Sequence, residues 1–236
     1  MTGSDYDAAE MSFKARLVVR LSVGLVIFAA LLFLPAGTLK FWRGWVFLVL
    51  FFLPILIAHV YLYKHDPQLL ERRMQRKEKV SEQRLLIKLW MPFFFAVFLL
   101  PGLDYRFGWS RKLVGEVPLW LTVLSDVLVV SGWLFVFWVL KVNTFASRTI
   151  RVEAGQKVIS SGPYRLVRHP MYLGSLVMFV SVPLALGSYV AWPAFVLNVP
   201  FYVFRLLNEE KVLREELPGY AEYCARTQWR LVPLVW

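Results

Sequence analysis

The residues best equipped for chemistry lie in one stretch, Ser161-Gly162-Pro163-Tyr164-Arg165-Leu166-Val167-Arg168-His169-Pro170-Met171-Tyr172-Leu173-Gly174. Arginines, tyrosines and a histidine alternate with Gly and Pro breaks directly ahead of an apolar run, where polar side chains can meet a charged ligand at a membrane surface. Pro170 suits the first turn of a helix, and the unpaired N–H groups of that turn favour an anion. Arg165 and Arg168 add positive charge there, although arginines beside a membrane helix end also snorkel. A second group, Arg205-Leu206-Leu207-Asn208-Glu209-Glu210, follows a later apolar run. Arg205 and Glu209, four apart, share a helix face. They suit a surface salt bridge, and equally the recognition of a zwitterionic cofactor if they stand opposite the histidine loop. The tail carries Gly219-Tyr220-Ala221-Glu222-Tyr223 before Arg226, Arg230 and Pro233. Its tyrosines either anchor at the interface or stack on a planar base.

These groups must be held by membrane helices. The chain is 58% apolar and 17% aromatic, and Leu21–Leu34, Val46–Tyr63 and Leu119–Leu140 are apolar runs near the ~20 residues that cross a bilayer. The expected fold is an all-α integral-membrane bundle of about six spans: 17–34, 44–63, 88–103, 118–140, 170–187 and 189–207. Pro92 interrupts the third, which should end at Pro101-Gly102, and Pro183 lies in the fifth, so both are expected to kink or pack inside. Gly187 and Ser188 leave almost no loop between the last two spans. The resulting hairpin should bring His169 and Tyr172 beside Arg205, Glu209 and Glu210, making a bipartite site. Residues 1–140 would form the substrate side and 141–236 a cofactor-binding core.

A net charge of +11 raises nucleic acid as a partner, but the basic residues lie between apolar runs, where they set orientation instead. With six spans, 22 of the 27 Lys and Arg fall on one face, which predicts both termini in the cytoplasm. Asp5, Asp7 and Glu10 precede a long apolar run, the pattern of a retained anchor. In the 64–88 segment, Leu69, Leu70, Met74 and Val80 have near-helical spacing, suiting either an interfacial helix or a solvated basic connector. Cys224 is the only cysteine, which excludes an internal disulfide and cysteine metal clusters. His59, His65 and His169 lack ligand spacing, so no metal is expected. Ionisable or polar groups inside spans are functional candidates. Asp126 lies near a span end, Asn198 can bond a carbonyl left over by proline, and His59 is the substrate-side candidate.

Gly162-Pro163-Tyr164, the run Arg168 to Gly174, then Arg205, Glu209-Glu210, Leu213, Gly219, Tyr220, Tyr223 and Pro233 occur in this order around a helical hairpin. Over about 145–236 this resembles the isoprenylcysteine carboxyl methyltransferase and phospholipid methyltransferase superfamily; residues 1–140 match it only in being transmembrane. The resemblance implies an enzyme that binds S-adenosyl-L-methionine in a cytoplasmic pocket of the C-terminal half and takes a lipophilic or lipid substrate from the bilayer. His169 and Tyr172 would hold the methionine moiety. Gly162, Pro163 and Tyr164 would line the adenosine side, with Arg168, Leu173 and Tyr220 completing the pocket. Glu209 or Glu210 would face the cofactor, and Arg205 would orient a substrate carboxylate. Arg205 and Glu209 are thus the expected catalytic pair.

A carboxylate acceptor needs no base, whereas an amine or thiol would need Glu209, Glu210 or His169 as proton acceptor. A prenylated cysteine, an aminophospholipid, an isoprenoid intermediate and a small thiol all fit. Membrane sterol reductases using NADPH share a similar C-terminal layout. Pro170 after His169 and the paired glutamates favour a sulfonium over a multiply charged phosphate cofactor. A non-enzymatic scaffold or transporter is a third reading. Transporters often show related halves and midplane polar groups, whereas here the polar groups gather at one face and no repeat is visible.

Overall fold

The computed structural model describes residues 3–74, 81–146, 150, 152–153 and 155–236. In chain order the helices are α1 (Gly3–Ala36), α2 (Trp42–His65), α3 (Pro67–Met74), α4 (Ser81–Phe107), α5 (Trp109–Leu113) and α6 (Leu119–Val142). After a single 3₁₀ turn at Gly162–Arg165 come α7 (Pro170–Ala185), α8 (Trp192–Glu216) and α9 (Tyr220–Arg226). Among the described residues there is no strand, so the all-α membrane bundle stands.

All six expected spans fall on helices, but only four are long and apolar enough to cross a membrane on those grounds: Phe13–Ala36, α2, Leu85–Phe107 and α6. The fifth, α7, has 16 residues, fixed by Pro170 at its start and by Gly187, at φ +75°, just past its end. The sixth, α8, is long but turns polar from Arg205 onward.

Two expectations need correcting. The third span does not stop at Pro101-Gly102, because α4 runs through Pro92 and Pro101 to Phe107. Packing overrides the proline signal: a Cβ on Gly102 would overlap the Leu32 carbonyl oxygen of α1, so the two helices touch backbone to backbone where α4 continues past the break. Asn198 does not bond a carbonyl left over by Pro200. Its Nδ2 donates to Ala194 O at 2.6 Å, four residues back on its own helix.

The 64–88 segment also resolves. Asp66 Oδ1 accepts from Leu69 N at 2.9 Å, starting α3, and Leu69 and Leu70 are buried with Leu62, Val136, Leu140 and Ala146. This helix is docked on the bundle, so the solvated connector is excluded for residues 67–74; Val80 lies outside the described residues.

Aromatic side chains fill the main core. Phe28 and Phe98 meet edge to face at 4.7 Å, as do Phe51 and Trp133 at 5.5 Å, tying α1 and α2 to α4 and α6. Such pairs add about 0.5–1.5 kcal/mol each beyond their buried area. Met178, Val182 and Phe195 join the same cluster, so it draws on both halves of the chain.

A second close crossing is α6 on α7. A Cβ on Gly132 would lie 2.7 Å from Gly174 O and 2.8 Å from Met178 Cβ, and one on Gly174 2.8 Å from Val136 Cγ2. Small residues at a crossing let membrane helices pack by backbone contact. At the far end, a buried carboxylate pins the α7–α8 turn. Asp104 Oδ2 accepts from Ser188 Oγ at 2.6 Å and also from Ser110 Oγ, while Oδ1 accepts from Ser110 N at 2.7 Å.

The crossing is testable. Gly132→Val and Gly174→Val should each destabilise the protein by about 1–3 kcal/mol, the usual size of overpacking, read as a lowered thermal midpoint in detergent. Gly24→Ala, whose new Cβ meets only Phe52 Cε1 at 3.7 Å, should leave the midpoint unchanged. Equal midpoints for all three would refute the backbone contact.

Candidate active site

A buried carboxylate organises the site. Glu210 Oε1 accepts from Arg168 Nη1 at 2.9 Å, Oε2 accepts from Arg230 Nε at 3.0 Å, and His169 Nε2 lies 3.4 Å from Oε1 without hydrogen-bond alignment. The rest of the Arg168 guanidinium is taken by main-chain carbonyls: Nε donates to Thr227 O at 2.7 Å and Nη2 to Gln228 O at 3.0 Å. Alongside, Arg168 N donates to Trp229 O and His169 N to Arg230 O, both at 2.9 Å. The loop ahead of α7, the end of α8 and the C-terminal tail are thereby one body. Burial alone would push the Glu210 carboxyl up. The side chains of His169, Arg230 and Arg168 outweigh it and hold Glu210 at about 2.

Against this body lies a cavity of about 690 Å³, within the usual range for small-molecule sites. One face of α7 lines it through Met171, Tyr172, Ser175, Met178 and Phe179, a 3.6-residue periodicity. From α8 come Tyr202, Arg205 and Glu209, and from α9 Tyr220. The Tyr172 hydroxyl donates to Glu209 Oε2 at 2.7 Å, and Arg205 is within electrostatic reach of that hydroxyl. Tyr164 OH accepts from Asn143 Nδ2 at 2.7 Å, and burial pushes this phenol up to about 12. Burial likewise raises Tyr220, with Glu210 adding to it; its hydroxyl has no hydrogen-bond partner. Further along, the wall is apolar: Phe51, Ile55, Phe94 and Trp133.

The structure therefore joins the two motifs that the hairpin argument placed together. Tyr164, Arg168, His169 and Tyr172 reach the cavity from one side, Arg205, Glu209 and Tyr220 from the other, and His59 from α2. Gly162, Pro163, Leu173 and Glu210 are not among its lining residues. Gly162, at φ +57°, is in the left-handed region that favours glycine and shapes the 3₁₀ turn, in which Pro163 is buried. The choice between the two glutamates is settled as geometry: Glu209 faces the cavity, and Glu210 is the anchor behind it. Arg168 borders the cavity, yet its bonds to Glu210 and to the Thr227 and Gln228 carbonyls make it a strut.

Sequence reasoning overlooked Trp90, Trp133, Asn143 and Arg73, all in the cavity wall. Two tryptophans among many aromatic residues carry no signal of their own. Asn143 did carry one, as the first neutral polar residue after the apolar run of α6. Trp90 Nε1 and Trp133 Nε1 are buried without hydrogen-bond partners. Among the described residues no His, Cys, Asp and Glu cluster suits a metal ion.

The anchor makes a pH prediction. Glu210 lies at about 2 against an ordinary value of 4.5, so its stabilisation is fully present above pH 4.5 and is lost as pH falls from there through about 2. At about 1.4 kcal/mol per unit this is on the order of 3 kcal/mol. Thermal midpoints measured across that window should fall for the wild type. Glu210→Gln should start lower, since breaking a buried pair costs about 3–5 kcal/mol, and lack that part of the acid slope. An identical slope in both proteins would disprove the anchor.

A family model described as phospholipid methyltransferase matches residues 120–218. Among curated proteins, the Delta(14)-sterol reductase of Mus musculus is 32% identical over 93 residues, covering 37% of this chain and 22% of the reductase. The chain thus matches about a fifth of that relative's length. The family match begins at the start of α6 and ends just past α8, so it encloses both the His169 loop and the Arg205–Glu210 segment. Over that region the chain is similar to the phospholipid methyltransferase family.

Proposed function

We propose that this protein is an S-adenosyl-L-methionine-dependent integral-membrane methyltransferase acting on a lipophilic acceptor, an isoprenylcysteine-like carboxylate or a lipid head group. One observation carries the reading: a single cavity joins a polar pole at His169, Tyr172, Glu209 and Tyr220 to an aromatic, apolar pole at Phe51, Phe94, Trp133 and Phe179. A water-soluble cofactor and a membrane-borne acceptor each find a matching wall in it.

The residues present fit the cofactor. Its sulfonium and ammonium charges suit the Glu209 carboxylate and the ring faces of Tyr172 and Tyr220. The buried Tyr220 hydroxyl and His169 Nε2, neither hydrogen-bonded within the protein, are groups that a polar ligand would satisfy. When bound, the cofactor would supply an electrophilic methyl group on a positively charged sulfur.

The chain's own part is positioning and exclusion of water. Tyr172 holds Glu209 Oε2 at 2.7 Å, so the carboxylate is fixed before any ligand arrives. The aromatic wall keeps the reacting region dry, which strengthens each electrostatic contact within it. Arg205 orients an acceptor carboxylate, which needs no base. For an amine or thiol acceptor, the Glu209 oxygen not bonded to Tyr172 takes the proton. In this scheme residues 141–236 carry the cofactor, 1–140 admit the acceptor, and the basic face places both termini in the cytoplasm of a bacterial cell.

A second reading, a reductase using NADPH on a sterol-like substrate, is favoured by the identity to the mouse reductase and by Arg20, Arg73 and Lys157 in the cavity wall. Calorimetry on the purified protein separates the two. S-adenosylhomocysteine should bind at micromolar concentration, and Glu209→Ala should weaken it by about tenfold or more while keeping the wild-type thermal midpoint; His169→Ala should weaken it as well but with a lowered midpoint, because its ring supports the buried Glu210. Heat with NADPH and none with S-adenosylhomocysteine would replace the first reading by the second. Labelled methyl donor fed to membranes should then mark the acceptor lipid.

A further inference from the structure

The family match starts at residue 120, yet the cavity wall includes a guanidinium from well outside it. Arg73, on α3, lines the cavity. Its Nη1 donates to Ala146 O at 3.1 Å and approaches Met171 Sδ at 3.6 Å, so the side chain is held against the first turn of α7, one residue before Tyr172. It is also within electrostatic reach of His59 and of the Tyr164 hydroxyl. The placement depends on α3 being docked: Leu69 and Leu70 are fully buried, and Asp66 caps the turn below them.

The charge of the wall points the same way. Among the described residues, the cavity is lined by Arg20, Arg73, Lys157, Arg168 and Arg205 and by one carboxylate, Glu209, with Glu210 behind them binding Arg168. A half-buried guanidinium fixed beside apolar walls interacts with an anion more strongly than one in water, and its fork suits phosphate and carboxylate. S-adenosyl-L-methionine carries a net positive charge, so it does not complement this wall alone.

We infer that Arg73 is a specificity-determining residue that receives an anionic group, a phosphate or a carboxylate, on the membrane amphiphile entering the cavity. The inference rests on the methyl-transfer reading in taking that amphiphile as the acceptor. Arg205 and Arg73 then hold the acceptor from opposite halves of the chain, Arg205 beside Glu209 and Arg73 between α3 and the start of α7. Selection for a charged acceptor thus resides in the part of the chain that the family match does not cover.

The test uses the full chain in detergent and two probe pairs, dioleoyl phosphatidic acid against dioleoylglycerol and oleate against methyl oleate, with binding read by native mass spectrometry. The wild type should prefer the anionic member of at least one pair by about tenfold, the order of one charge-assisted hydrogen bond. The pair that shows the preference identifies phosphate or carboxylate. Arg73→Gln should abolish it without changing S-adenosylhomocysteine affinity. Lys211→Gln, an exposed cation away from the cavity, should keep it whole. Arg73→Lys should retain only part of it, and this variant carries the test if Arg73→Gln does not fold. The inference is overturned if the wild type shows no preference, if it survives in Arg73→Gln, or if Lys211→Gln loses it equally, which would mean general surface attraction. It is overturned too if Arg73→Gln weakens NADPH instead of the lipids. An Arg73-dependent preference in a protein that ignores S-adenosylhomocysteine would uphold the anion site and refute methyl transfer.

Discussion

A carboxylate taken out of water must be matched by donors, and Glu210 is matched from three directions. Arg168 comes from the loop before α7 and Arg230 from the tail, while Glu210 itself belongs to α8. Satisfying one buried charge therefore fixes three chain segments against one another. Because Arg168 also caps the carbonyls of Thr227 and Gln228, the tail cannot leave without exposing several unpaired polar groups at once. Every distance across the candidate site, from His169 to Tyr220, inherits its definition from this knot.

Adjacent residues on a helix point about 100° apart, and the pair Glu209-Glu210 uses that difference. Glu210 turns into the protein and holds it together; Glu209 turns into the cavity, where Tyr172 steadies it. Among the cations, Arg168 spends its guanidinium on Glu210 and on main-chain carbonyls, and Arg205 and Arg73 line the same cavity. Type and proximity in sequence do not distinguish these roles; direction does.

The apolar pole obeys a different constraint. Membrane helices gain little hydrophobic energy by associating, since lipid is as apolar as leucine, so close backbone approach and interlocking rings must hold them. Gly132 on Gly174, Gly102 on Leu32 and the Phe28–Phe98 contact supply this. They also decide how wide the cavity is, because α6 and α7 cannot separate without losing the glycine contact. The aromatic residues that stabilise the bundle are in part those that line the cavity, Phe51 and Trp133 among them.

By itself the sequence determined what local rules can carry. Long apolar runs imply helices, Pro170 starts α7, and a few residues between α7 and α8 force a hairpin that brings His169 and Tyr172 to Arg205 and Glu209. These depend only on composition, spacing and chain connectivity, and the structure agrees with them. What it could not carry depends on contacts between residues far apart in the chain. Pro101 was read as an end because the Leu32 carbonyl packed on Gly102 is invisible in one dimension. That Arg168 braces the tail while bordering the cavity, and that Glu209 lines the cavity while Glu210 stands behind it, shows only once Thr227, Gln228 and Arg230 are in place. Arg73, 98 residues before the Met171 it touches, joins the site through the docking of α3. Local periodicity fixes which face of a helix is apolar; which neighbour that face meets, and so which charges end in the cavity, is settled only when the helices pack.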